Sequence, residues 1–468
     1  MIVITGGGTG GHLAIARALA QELQSREIPA IYIGSLYGQD QMWFAGESEE
    51  DWAFENRVGF WAKNGDCGGE SAVTTAQGSS LASPCKAPFL APKSCREQTA
   101  PESTKVDSSS TPQNPLFQEC YFLNTSGVVN KKGIKKLASI YAQLRAALRV
   151  RKIFAKHKVR AVISVGGFSA GPASLAAILL RKPLFIHEQN AIQGKLNSLL
   201  APFAKAVFNS FRPPFPPYPI KQEALQSRRI RTEFQSIIFI GGSQGAKAIN
   251  DLALQAAPKL LARGIHIIHQ CGERDLDRVR EAYKKVDSRL VESSDPKALE
   301  SSFDSPAPRL TLFGFDKDLI KHLDKADICV ARAGASSIWE NAALSLPTIY
   351  IPYPYAANNH QHHNASYFTR QGLGLMITEQ DLSTPTQAAQ KGADTADTKV
   401  DSSKTCADIR AMDLEKFFTL LSQLEGNLEA ISTNLSKTIT ENGAQSIITQ
   451  ILAALEPSTA KAAAAKPT

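Results

Sequence analysis

Short apolar runs recur along this chain, and most are separated by enough residues for one helix. In the first half, residues 2–5, 30–34, 161–165 and 184–187 read as buried strands. In the second half, 237–241, 265–270, 328–331 and 348–351 do the same. Apolar positions at helical spacing fill 13–23 and 250–262. Near-continuous apolar strands alternating with helices predict parallel sheets covered on both faces. The fold class expected is α/β, with two Rossmann-like domains facing each other across a cleft. The Pro-rich stretch Arg212–Pro219 separates the two series. The expected division is a first domain over 1–211, a linker over 212–235 and a second domain over 236–440. Residues 441–468 form a last helix, expected to return to the first domain, and a tail.

Two segments break the pattern. Residues 64–115 and 383–407 are rich in Ser, Thr, Pro and Gly and carry neither period, so both read as surface insertions. Each contains Thr-Lys-Val-Asp-Ser-Ser, at 104–109 and 398–403.

Composition narrows the class. At 468 residues, with 43% apolar and 21% charged positions, the chain reads as a two-domain globular enzyme. No apolar run reaches the ~18 residues that cross a bilayer, and the first residues run from a strand straight into glycines, unlike a signal peptide. A cytoplasmic protein is expected. Cysteines at 67, 85, 95, 120, 271, 329 and 406 form no CxxC pair, against a disulfide frame or a zinc site. The formal charge of +8 points to an anionic partner, whether nucleic acid, a phosphorylated substrate or a membrane.

Four motifs follow predicted strands. Gly6-Gly7-Gly8-Thr9-Gly10-Gly11-His12 opens the first helix, where free N–H groups and the positive dipole end favour an oxygen-rich ligand. Gly6, Gly8 and Gly11 match the dinucleotide fingerprint, but the second strand ends in Ser35, where that fingerprint wants an acid for the ribose. An NAD-dependent oxidoreductase is thereby disfavoured, and a tight turn with no ligand stays open. Gly241-Gly242-Ser243-Gln244-Gly245-Ala246 repeats the arrangement at the start of the second half. Two helix N-termini facing one cleft suit a pyrophosphate leaving group. The third motif is Ser164 to Gly171 followed by His187-Glu188-Gln189-Asn190, where His187 and Glu188 could also simply satisfy each other. The fourth runs from Arg332 to Glu340 and continues through Ile351–Pro354 to Asn358–Asn364. An acid at 340, inside a helix, can accept a pair of ribose hydroxyls. His360, His362 and His363 lack a nearby carboxylate or Cys ligand, so no metal is expected, and no cofactor.

Taken together, these motifs resemble the MurG family, the lipid II synthases of peptidoglycan assembly. GGTGGH, HEQN, GGSQGA, R-x-GA-x-x-x-x-E and the Gln361 region occur in the family's order. The resemblance implies a GT-B glycosyltransferase that moves N-acetylglucosamine from UDP-N-acetylglucosamine to undecaprenyl-pyrophosphoryl-N-acetylmuramoyl-pentapeptide (lipid I). A β-1,4 bond would form with inversion. It implies a peripheral enzyme at the cytoplasmic face of the bacterial inner membrane, serving cell-wall synthesis, cell shape and division alongside other cell-wall proteins. Carried onto this chain, donor contacts are expected at Thr9, Gly10, Gly11, Asn190, Ser243, Phe315 and Gln361. Ala335, Ser336, Ser337, Ile338, Trp339 and Glu340 complete that set, with Glu340 on the ribose. Lys221 stands where the family has an arginine, which leaves a point charge in place of a bidentate fork. His12 is the expected general base and Glu188 the fallback; His12 could instead only bind the acceptor or close the loop. Other UDP-sugar enzymes of this architecture, including epimerases and small-molecule glycosyltransferases, are the alternatives, with a non-catalytic nucleotide-binding module behind them.

One segment points to a membrane. Residues 131–158 hold ten Lys or Arg and no Asp or Glu. Ile134, Leu137, Ala138, Tyr141, Leu144 and Leu148 predict an amphipathic helix whose stripe packs on the sheet. Lys131, Lys132, Lys135 and Lys136 would then dock on anionic lipid, mainly electrostatically. Nucleic acid is not expected, since no stacking aromatics accompany the charge.

Overall fold

The structure, a computed structural model, describes residues 1–44, 115–124, 134–212, 218–242, 245–286, 291–292, 310–316, 318–383 and 412–456. Apart from Pro115 and Ser383, both expected insertions lie outside the described residues. The first half forms a six-stranded sheet of β1 (Ile2–Thr5), β2 (Ala30–Ser35), β3 (Glu119–Leu123), β4 (Ala161–Ser164), β5 (Leu184–Glu188) and β6 (Ala206–Asn209). Every pairing is parallel and the order is β3-β2-β1-β4-β5-β6, the Rossmann arrangement. The second half forms a seven-stranded parallel sheet from β7 (Ser236–Ile240), β8 (His266–Gln270), β9 (Val291–Glu292), β10 (Leu310–Phe313), β11 (Ile328–Ala331), β12 (Thr348–Tyr350) and β13 (Leu375–Met376). Its order is β13-β12-β11-β7-β8-β10-β9.

Pleating explains the apolar runs. Val3, Ile31, Ile33, Val162 and Ile186 face one covering layer, while Ile4, Tyr32, Ile163 and Phe185 face the other, all buried. In each sheet the chain reverses direction of winding at a central pair, β1/β4 and β7/β11, and ligands bind beyond the carboxyl ends of such pairs. The Gly6–His12 loop follows β1, Val165–Gly171 follows β4, the 241–246 loop follows β7 and Arg332–Glu340 follows β11.

The last helix, Gly443–Leu455, lies against the first helix, Gly10–Ser25. Arg26 donates to the Gln445 carbonyl at 3.2 Å and to Thr449 Oγ1 at 2.9 Å, and Ile447, Ile448 and Ile451 are buried. In the linker, Arg231 is buried with no carboxylate among its hydrogen-bond partners. It donates instead to carbonyls of Ala326, Arg229, Leu323 and Leu344, several of them at helix ends. Burial holds its guanidinium down to about 9.

The basic helix, Ile134–Lys156, corrects an expectation. Its buried face is Ser139, Gln143, Ala147, Val150 and Phe154, against the helix Gly171–Leu179. A Cβ at Gly171 would stand 2.8 Å from Gln143 Oε1, so the two helices approach closely there through small residues. Tyr141, Leu144 and Leu148 are left outside, 66%, 45% and 65% exposed. Tyr141, Leu144 and Leu148 of the expected stripe therefore face solvent among Arg145, Arg151 and Lys152, not the sheet, while the side chains of Ile134, Leu137 and Ala138 lie outside the described residues. No described helix is long and apolar enough to cross a membrane.

Candidate active site

Backbone packing builds the first wall. Gly7 N–H donates to the Gly166 carbonyl at 3.1 Å, and a Cβ on Gly167 (φ +78°) would sit 2.1 Å from Gly7 O. The loops after β1 and β4 thus touch main chain to main chain, which only glycine permits. Below them lies Asp40, fully buried. It accepts from Gly8 N at 2.6 Å, Ser35 N at 3.1 Å and Tyr32 OH at 3.0 Å. The sequence analysis sought an acid at the end of β2 and found Ser35. The acid sits five residues later and holds the loop from beneath, in place of a ribose.

His12 stands on the first turn of its helix, half-buried. Its Nδ1 is 2.8 Å from Thr9 Oγ1, and the Gln189 amide lies 3.1 Å from its Nε2. With Gln189 donating there, Nε2 carries the lone pair and Nδ1 the proton. Burial, and secondarily the charge of His360 across the cleft, lowers its pKa to about 4. The ring is therefore neutral at physiological pH. His187 is buried beneath, edge-on to Tyr218 at 5.5 Å, and burial takes it to about 3. It makes no bond to Glu188. That carboxylate accepts instead from Asn190 N at 3.0 Å, Gly194 N at 2.9 Å and Asn197 Nδ2 at 2.8 Å. With both oxygens engaged inside its own loop, Glu188 has the geometry of a loop organiser, not of a base aimed at substrate.

The second wall comes from the helix Ala335–Ala343, begun by Gly334 in extended conformation. Ser336 and Glu340, four apart, share its half-buried face, with Ser337 beside them. Ser336 Oγ reaches the Gly11 carbonyl at 3.4 Å and Tyr218 OH at 3.1 Å, joining both halves and the linker. Ala335, Ile338 and Trp339 are buried. Trp339 stacks on Tyr218 at 5.8 Å with the rings 8° from parallel. Side chains of Ile338 and Trp339 therefore shape the wall, and only their backbone could meet a ligand. Burial raises the Glu340 pKa, and the charge of Lys221, just before the short helix Gln222–Gln226, opposes that shift.

Gln361 Oε1 accepts from Tyr353 N at 2.9 Å, tying the helix His360–Thr369 to the Ile351–Pro354 loop. Arg332 pairs with Glu379 at 2.6 Å beneath Tyr353. Phe315 lies beyond β10, 42% exposed. Ser243 falls outside the described residues, as do Lys131, Lys132 and the side chains of Lys135 and Lys136. Among the described residues no group of three His, Cys, Asp or Glu could hold a metal ion. Sequence reasoning missed Asp40 and Asn364. The latter is buried and bonds to Asn190 and Ala191 across the cleft.

Two parallel sheets with their switch points turned toward one cleft, closed by contacts at Gly11, Asn190, Ser336 and Asn364, define a class: a two-domain glycosyltransferase of GT-B architecture. A solved structure of MurG from Acinetobacter baumannii matches that fold with a TM-score of 0.58 at 22% identity, over 97% of this chain and 99% of that one. The glycosyltransferase family 28 N-terminal domain matches residues 2–49 and 105–209, and the family 28 C-terminal domain matches 236–410. A UDP-N-acetylglucosamine–N-acetylmuramyl-(pentapeptide) pyrophosphoryl-undecaprenol N-acetylglucosamine transferase of Helicobacter hepaticus is 44% identical over 82% of this chain and 86% of its own length. One of the same name from Helicobacter acinonychis is 38% identical over 97% and 99%. The chain belongs to glycosyltransferase family 28, in the group of N-acetylglucosamine transferases that these relatives represent.

Proposed function

We propose that this protein moves N-acetylglucosamine from UDP-N-acetylglucosamine to the 4-hydroxyl of N-acetylmuramic acid in undecaprenyl-pyrophosphoryl-N-acetylmuramoyl-pentapeptide. The observation that carries this reading is similarity over nearly the whole chain to relatives of that name, with the shared motifs meeting at one cleft. The first domain (1–211) takes the acceptor and the second (236–440) the donor. Glu340 holds the ribose, Gln361 and Asn190 the sugar. Thr9, Gly10, Gly11, Ala335, Ser336, Ser337 and the backbone of Ile338 and Trp339 line the donor, and Phe315 flanks the base. The acceptor hydroxyl displaces Gln189 from His12 Nε2 and gives that nitrogen its proton as its oxygen attacks the anomeric carbon from the face opposite UDP. The diphosphate then leaves carrying negative charge. Main-chain N–H groups of the 241–246 loop, Ser243 and Lys221 meet that charge, while Glu188 keeps Asn190 in place. Incubation with UDP-N-acetylglucosamine and a short-chain lipid I analogue releases UDP only when the analogue is present. Equal release without it would leave hydrolysis, or an epimerase, as the activity.

The acceptor's lipid tail calls for work at a bilayer surface, the cytoplasmic face of the inner membrane. The basic helix supplies the docking surface, with Lys135 and Lys136 in its first turn and Lys131 and Lys132 just before it in sequence. Because Tyr141, Leu144 and Leu148 are exposed, attachment combines apolar insertion, ~1.5–3 kcal/mol per buried leucine, with ~1 kcal/mol per basic residue. Sedimentation with anionic vesicles therefore persists in part near ~0.5 M salt, where screening falls to ~4 Å. Leu144→Glu with Leu148→Glu abolishes it and leaves turnover on a soluble acceptor within about twofold. A double variant that pellets like the parent would remove this face from docking.

A further inference from the structure

Asn364 lies in the second half of the chain, on the helix His360–Thr369, yet two of its three hydrogen bonds reach the first half. Its side chain is 0% exposed. Oδ1 accepts from the Ala191 N–H at 2.8 Å, and Nδ2 donates to the Ala333 carbonyl at 3.2 Å and to Asn190 Oδ1 at 3.1 Å. Two of these partners are backbone groups, and an N–H can only donate while a C=O can only accept. The amide of Asn364 therefore has one orientation. Its donor meets Asn190, so the oxygen of Asn190 must face Asn364 and its NH₂ must point away. The rest of Asn190 is held too: its N–H donates to Glu188 Oε1 at 3.0 Å and its carbonyl accepts from Asn209 Nδ2 at 3.1 Å.

We propose that Asn364 is a positioning residue that turns the NH₂ of Asn190 toward the donor sugar, and does so only when the two halves are closed. The proposal rests on the reading of Asn190 as a donor contact. Opening the cleft breaks the bonds to Ala191 and Asn190 together, so the amide of Asn190 is set for binding only as water is excluded. A side chain free to flip would present oxygen to the sugar as readily as nitrogen.

Asn364→Asp keeps size and the acceptor for Ala191, but sets oxygens against Ala333 O and Asn190 Oδ1. In the full-length protein it lowers kcat/KM for UDP-N-acetylglucosamine by about 10²-fold. UDP affinity, which does not read the sugar that Asn190 meets, stays within about twofold. In an Asn190→Ala background the same substitution costs less than about threefold, because its effect passes through Asn190. Independent effects that multiply would overturn the proposal, and so would loss of UDP affinity by more than about tenfold, the mark of a purely structural residue. If Asn190→Ala alone leaves kcat/KM unchanged, the donor-contact reading fails first and is seen to fail separately. Should the aspartate variant not fold, the same cycle is run with Asn364→Ala, with the same criteria.

Discussion

His12→Ala lowers turnover by about 10²-fold or more and leaves UDP affinity within about twofold. The ring lies on the first-domain side of the cleft, so a nucleotide held by the second domain does not need it. The acceptor hydroxyl does need it, because displacement at the anomeric carbon leaves a proton that the departing UDP cannot take at once. Geometry and charge agree on this role: Thr9 fixes Nδ1, Gln189 marks Nε2 as the lone-pair side, and burial brings the pKa to about 4. The sign of the pH dependence follows. A base is active when unprotonated, and lowering its pKa extends the active form toward acid. Read in kcat at saturating substrates, where weaker donor binding through Glu340 does not register, the acid limb set by His12 therefore falls near pH 4, well below the 6.5 of a free imidazole. His12→Asn removes that limb along with most of the rate. An unchanged rate at saturating substrates would take His12 out of the chemistry.

Glu340→Ala weakens UDP binding by about 10²- to 10⁴-fold, the loss of two hydrogen bonds to a charged acceptor at ~1.5–3 kcal/mol each. Glu340→Gln falls between variant and parent, since an amide oxygen accepts more weakly than a carboxylate. The raised pKa of this group gives a second signature. Its carboxylate is lost at a pH where ordinary glutamates remain ionised, so UDP affinity of the parent declines on mild acidification. The alanine variant shows no such decline from this group. Calorimetric titration with UDP at several pH values reads both effects. An affinity in Glu340→Ala equal to the parent's would place the ribose elsewhere.

Much of this architecture is legible in the chain because buried parallel strands need unbroken apolar runs. The runs at 2–5, 161–165 and 237–241 coincide with central strands β1, β4 and β7. Five strands at or next to a sheet edge, β3, β6, β9, β10 and β13, escape the same reading. They are short or begin with a charged residue, as in Glu119, since an edge needs less apolar surface. The glycine loops are legible because their conformations exclude side chains. Asp40 is not, because what it binds is the backbone of Gly8 and Ser35, which leaves no pattern in sequence. Asn364 is hidden for a different reason: its partner Asn190 is 174 residues away. The basic helix misleads because a helix can bury Ser139, Gln143 and Ala147 against a small-residue neighbour and leave Leu144 and Leu148 for another surface.

The central claim is an inverting transfer across the closed cleft, and the configuration of the product tests it most directly. UDP-N-acetylglucosamine carries its sugar in α-linkage. After reaction with a short-chain lipid I analogue, the disaccharide is isolated and its anomeric proton and inter-residue contacts are read by NMR. The account predicts one N-acetylglucosamine joined β-1,4 to the muramoyl residue, in amounts equal to the UDP released. An α-linked product, a modified UDP-sugar, or UDP release with no disaccharide formed would contradict it.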